Sequence, residues 1–126
     1  MPLEDMAVIC RAKYLMRPIE HALERRKLAY QSMNAQSFRR FDWRRPSIKL
    51  LTMHSAKGLE FPLVLVASLQ ALPMKGESVE DAARLLYVSM TRATHELVLS
   101  THGMSPIVER VRDSLADVAQ RFAQGA

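Results

Sequence analysis

Apolar residues fall along this chain in short continuous runs that alternate with stretches of helical periodicity. Residues 6–10, MAVIC, are apolar throughout and carry β-branched Val8 and Ile9, which predicts a buried strand. Pro18 then suits a first helical turn, Glu20 lies just after it, and Arg25, Arg26 and Lys27 come near the end. That order of charge complements a helix dipole, and Ile19, Ala22 and Leu23 supply an apolar side. Residues 28–33 and 48–53 read as strands, the second set off by Pro46. Pro62 places the start of a further strand at Leu63, and its LVLVA run lacks alternation, as in a parallel strand covered on both faces.

Residues 71–78 hold Pro73 and Gly76 and read as a turn region. Ala82, Leu85, Leu86 and Ser89 recur at helical spacing, predicting a helix over 77–93, and 96–100 reads as a strand. Ser105 and Pro106 mark the start of a last helix. Val108, Val111, Leu115, Val118 and Phe122 step by three and four along it, so they form one stripe, expected to pack on the sheet or another helix of this domain. Strands alternating with helices give the fold class: α/β, with a mostly parallel sheet and helices on its faces.

Residues 34–46, NAQSFRRFDWRRP, break the periodicity and read as a linker with four arginines, two phenylalanines and Trp43. Aromatic rings among arginines suit stacking on bases and holding phosphates. The alternative is that the rings pin a connection onto the core, and that is the favoured reading.

Charge sharpens this picture only slightly. The net charge of +5 is concentrated in residues 1–50, which carry +6, while 51–126 carry −1. A basic half suits a polyanion, but it has no dense lysine tract, and a solvated basic face explains it equally well. Cys10 is the one cysteine, so no internal disulfide forms. The first residues are acidic and lack a signal-peptide layout, and no apolar run reaches membrane-span length. A cytoplasmic protein without a membrane partner is the expectation.

Several chemistries lack their sequence patterns. No GxxxxGK[ST] phosphate loop occurs, and SAKG has the wrong order for one. Cys10, His21, His54, His95 and His102 show no metal-site spacing, so no metal ligands are assigned. His54 and Ser55 are adjacent, which would send their side chains to opposite faces of a strand, and GxSxG is absent.

Two longer segments do carry a specific pattern: MHSAKGLEF, residues 53–61, and LLYVSMTRA, residues 85–93. Together they resemble the fifth and sixth motifs of UvrD/Rep-like superfamily 1 DNA helicases, and AVICR at 7–11 resembles the fourth. The resemblance spans about residues 6–100. It implies the second, C-terminal RecA-like motor domain: a three-layer P-loop NTPase-type fold without its own Walker A motif, extending over 1–126. The linker 34–46 stands where relatives often insert an accessory domain.

The resemblance also implies roles. Arg92 and Arg11 match arginines that reach the terminal phosphate of ATP, and Glu60 matches a glutamate associated with the ribose. Lys57 and Gly58 fall in a loop that helps couple nucleotide to DNA, and Thr52 and His54 lie toward the DNA strand. Tyr87 matches a structural or coupling tyrosine and is expected in the core. ATP and Mg²⁺ would act in the intact two-domain enzyme, with the first RecA-like domain supplying Walker A and Walker B motifs and single-stranded or partly duplex DNA as the track. Little ATP hydrolysis is expected of the chain alone. Cys10 stands where relatives often place an adenine-stacking aromatic, and Ser89 where glycine is frequent. Two other functions remain open: a separate nucleotide- or DNA-binding module serving a partner ATPase, and a degenerate protein-interaction remnant.

Overall fold

The centre of the molecule is β1, Met6–Cys10, flanked on both sides by parallel strands. The computed structural model describes residues 1–33 and 41–125. Among these residues, five parallel strands lie in the order β2-β3-β1-β4-β5, where β2 is Tyr30–Ser32, β3 Ile48–Thr52, β4 Phe61–Val66 and β5 Ala93–Leu99. Helices α1, Arg17–Arg25, α2, Val79–Met90, and α3, Pro106–Gly125, complete the architecture.

Strand alternation sorts the core into two layers. Ala7 and Ile9 pair with Lys49, Leu51, Val64 and Val66, and the apolar members of this set pack under Ala82 and Leu86 of α2 and Ile107 and Val108 of α3. Val8, Cys10, Leu50 and Leu65 point the other way, toward Ile19 and Leu23 of α1. The result is a three-layer α/β/α domain, as the alternation of elements predicts.

Four boundaries or placements differ from the sequence expectation. β4 starts at Phe61 and contains Pro62, whose missing N–H is accommodated by an irregular register between Phe61 and Leu63. α2 ends at Met90, and β5 begins at Ala93, so the segment expected to close a helix instead opens an edge strand. The stripe on α3 is divided: Ile107 and Val108 are buried and Val111 packs against the core, but Leu115 and Val118 are 56% and 47% exposed. The expected packing of the whole stripe within this domain therefore fails beyond the first two turns; the side chain of Phe122 lies outside the described residues. Tyr87 is 68% exposed and so is not a core residue.

The linker splits similarly. Residues 34–40 lie outside the described residues. Beyond them, Phe41 packs against the core and meets the ring of Trp43 edge-on at 4.7 Å, while Trp43 stays 45% exposed. Gln31 clamps this segment, donating to the Asp42 carbonyl at 2.8 Å and accepting from the Asp42 N–H at 2.9 Å. Lys49, only 1% exposed, fixes its end: Nζ donates to the Arg45 carbonyl at 2.9 Å, the Ser47 carbonyl at 3.1 Å and Ser47 Oγ at 2.7 Å. At this end of the linker, then, Phe41 does pin the chain to the core.

Candidate functional site

In parallel α/β sheets the carboxyl ends of the strands gather functional loops. Here Arg11 directly follows β1 and His54 lies two residues past β3, on neighbouring strands. The chain after β3 must return to the amino end of the sheet to begin parallel β4. It does so in residues 53–60, across the α2 side, anchored by buried Met53 and Ala56. Thr52 starts the turn: its Oγ1 accepts from the Ser55 N–H at 3.1 Å and donates to Ser55 Oγ at 2.8 Å. Gly58 has φ +78°, a conformation that favours glycine, and no neighbouring atom would obstruct a side chain there, so backbone conformation alone explains the residue.

Between this loop and α2 runs an open groove of about 590 Å³. Arg11, His54 and Lys57 line it together with Lys75 and Glu77 from the turn before α2, and with Asp81, Arg84, Leu85 and Val88 from one face of the helix. Ser78 sets the start of that helix by accepting from the Asp81 N–H at 3.0 Å.

One ion pair dominates the groove. Arg11 Nε and Nη2 both donate to Glu77 Oε2, at 3.1 and 2.8 Å, and Glu77 Oε1 accepts from the Met74 N–H at 3.1 Å. Burial alone would raise the Glu77 carboxyl, but hydrogen bonds from Arg11 and Met74 and the charges of Arg11 and His54 outweigh it and hold the pKa below its ordinary value. Asp81 has a looser partner in Arg84 at 3.7 Å, exposed to solvent. Lys57 and Lys75 are exposed, and among the described residues neither is in an ion pair, so both can meet an external anion. Cys10, buried beside Arg11, has its thiol pushed up to about 11 by desolvation, so it remains a neutral apolar group at physiological pH.

Arg92 and Glu60 belong to the opposite edge of the sheet. The Phe61 N–H donates to the Arg92 carbonyl at 2.9 Å, which sets Glu60 and Arg92 side by side where β4 and β5 begin. Arg92 turns its side chain back along α2, with Nε donating to the Val88 carbonyl at 3.0 Å. Val88 lines the groove, so Arg92 continues its helical wall. The structure thus joins Arg11, His54 and Lys57 at one end and Glu60 with Arg92 at the other; it does not put the two arginines in contact. Lys75 and Glu77 are additions that the motifs did not mark. The Ser78 cap was the available signal, since residues just before a helix capped over a parallel sheet face its carboxyl edge.

Tyr87 stands elsewhere, on a separate cleft of about 310 Å³ between α2 and α3, lined mainly by Leu86, Met90, Ile107, Val111 and Leu115. Among the described residues no three His, Cys, Asp or Glu side chains gather as metal ligands, and no helix is long and apolar enough to cross a membrane.

A parallel three-layer α/β domain with a cationic groove beside its central strand is of the RecA-like class. More specifically, residues 32–104 match the UvrD-like helicase C-terminal domain, and the chain belongs to that family. It is similar to the ATP-dependent DNA helicase PcrA of Bacillus subtilis, 39% identical over 71 residues, covering 51% of this chain and 10% of PcrA. DNA helicase II of Escherichia coli is 39% identical over 61 residues, covering 43% of this chain and 8% of that protein. The chain therefore matches about a tenth of the length of these relatives. A crystal structure of the C-terminal domain of a possible DNA helicase from Lactobacillus plantarum superposes with a TM-score of 0.64 at 26% identity, over 85% of this chain and 62% of that one.

Proposed function

We propose that this chain is the C-terminal motor portion of an ATP-dependent DNA helicase or translocase, completing an ATPase site with a first RecA-like domain that carries the Walker A and Walker B motifs. The observation that carries this reading is the groove in which Arg11, His54 and Lys57 converge with Lys75 on an anion-receptive surface. Family membership and the named activity of its relatives support it.

ATP is the substrate, and its hydrolysis supplies the driving energy. Arg11 and Arg92 place positive charge against the transferred phosphoryl group. Each now rests on an internal acceptor, Glu77 and the Val88 carbonyl, and must leave it to do so. Glu60, exposed and beside Arg92, accepts from the ribose. Lys57 and Gly58 shape the loop between the two ends of the groove, while Thr52 and His54 hold its carboxyl end toward single-stranded or partly duplex DNA. Magnesium is assigned to the partner domain that carries the Walker A and Walker B motifs.

The test is DNA-stimulated ATP turnover by the native protein that contains this domain. Arg92→Ala is expected to lower it by about 100-fold or more, the usual scale for losing a transition-state cation. Unchanged turnover would overturn the proposal.

A further inference from the structure

The Arg11–Glu77 pair is unusual in its setting. A carboxylate occupies the guanidinium of Arg11 inside a groove also lined by Lys57, Lys75 and Arg84, and among the described residues neither lysine is in an ion pair. Arg11 and Glu77 side chains are 19% and 12% exposed, so the pair is only partly shielded by water. Both guanidinium donors converge on one oxygen, Oε2, and the other oxygen holds the Met74 amide.

We propose that Glu77 is an internal competitor for the anion of this groove: its carboxylate holds Arg11 in the ligand-free chain, and a polyphosphate enters by displacing it, with Lys75 and Lys57 as further phosphate-binding cations. The inference rests on the function proposed above and deepens it by naming the gate and the ligand class. A tethered carboxylate has a high effective concentration at Arg11, so a singly charged anion in solution displaces it poorly. A polyphosphate offers more charge and more acceptor oxygens, and it alone engages the two lysines together with Arg11. The groove is thereby selective for multiply charged phosphates over carboxylates.

Displacement has a local consequence. Glu77 releases the Met74 N–H as it leaves Arg11, loosening the turn that leads through the Ser78 cap into α2. That helix carries Val88, the acceptor of Arg92, near its far end. Anion capture at Arg11 is in this way connected to the arginine at the opposite edge of the sheet.

Isothermal titration of the chain with sodium tripolyphosphate at low ionic strength tests this, with sodium acetate as the comparison anion. Glu77→Gln is expected to tighten tripolyphosphate binding roughly tenfold, because Arg11 no longer spends most of its time occupied. Lys57→Ala combined with Lys75→Ala is expected to weaken it at least about fivefold. The native chain provides a check that needs no variant: the Met74 amide resonance should shift and lose exchange protection as tripolyphosphate saturates. Equal affinity of the native chain and a folded Glu77→Gln variant, an unmoved Met74 amide, or no binding by either chain would overturn the competitor role. Those results leave the motor function to be judged by Arg92→Ala turnover, so the two readings fail separately.

Discussion

Arg92 donates from Nε to the carbonyl oxygen of Val88 at 3.0 Å, so the arginine of the TRA motif also satisfies a carbonyl of the last turn of α2. A cation there also complements the negative end of the helix dipole.

Arg92→Ala therefore carries a structural cost besides any loss of turnover. Thermal or urea melts should show a loss of about 1 kcal/mol, the scale of one charge-assisted hydrogen bond at a helix end. Arg92→Lys should recover part of that stability through the retained charge, and still be defective in turnover because lysine lacks the planar fork. Equal stability of all three chains would show that the Val88 contact is passive.

Glu77 makes stability depend on acid. Its folded pKa is depressed from the ordinary 4.5, so the pair's contribution is fully present above that value. It is lost as pH falls through the lower folded pKa. Urea midpoints measured from pH 6 down to pH 2 should fall more steeply for the native chain than for Glu77→Gln. At pH 7 the variant should be less stable by about 1–2 kcal/mol. Parallel acid profiles would contradict this account.

Lys49 should resist replacement by an apolar residue of similar length. Burial, first of all, lowers the pKa of its ammonium, with Arg45 adding to that and Glu4 and Asp42 opposing it. Its three acceptors make the charge tolerable, and removing it takes a donor from the Ser47 carbonyl and from the Arg45 carbonyl, which keeps only the Ser47 hydroxyl at 3.2 Å. Lys49→Met is expected to cost about 1–3 kcal/mol in denaturant melts. A neutral result would show that residues 41–47 hold their place through Phe41 and Gln31 alone.

The divided stripe of α3 predicts divided mutational effects. Val108→Ala should destabilise by about 1–3 kcal/mol, because it empties a packed site. Leu115→Glu and Val118→Glu should stay within about 0.5 kcal/mol of the native chain, because both side chains already meet water. Melting curves of the three variants decide this directly.

The strands and helices were legible where period and punctuation agreed. MAVIC was readable as a buried strand and LVLVA as a parallel one, and Ser105–Pro106 marked α3, because each signal is local. Pro62 misled about where β4 begins because a proline is read as a boundary, whereas here an irregular register absorbs it. The stripe of α3 was correctly phased, but phase says which residues share a face and not how far a neighbour extends along it. Tyr87 sits one residue from buried Leu86, and a helix turns about 100° in that step. The Arg11–Glu77 pair joins positions 66 residues apart and leaves no local pattern. The motif segments hold Arg11, His54, Lys57, Leu85 and Val88, fewer than half of the residues that line the groove, and the acid on Arg11 was found only in three dimensions.

The central placement of β1 also governs how the chain acquires its structure. Its two neighbours, β3 and β4, begin at Ile48 and Phe61, and both must arrive before Ala7 and Ile9 are covered. Distant pairings of this kind make folding slower than local ones. On the ribosome, β1 emerges before both of its neighbours and would wait for these two later segments, leaving its edges open for the intervening synthesis time.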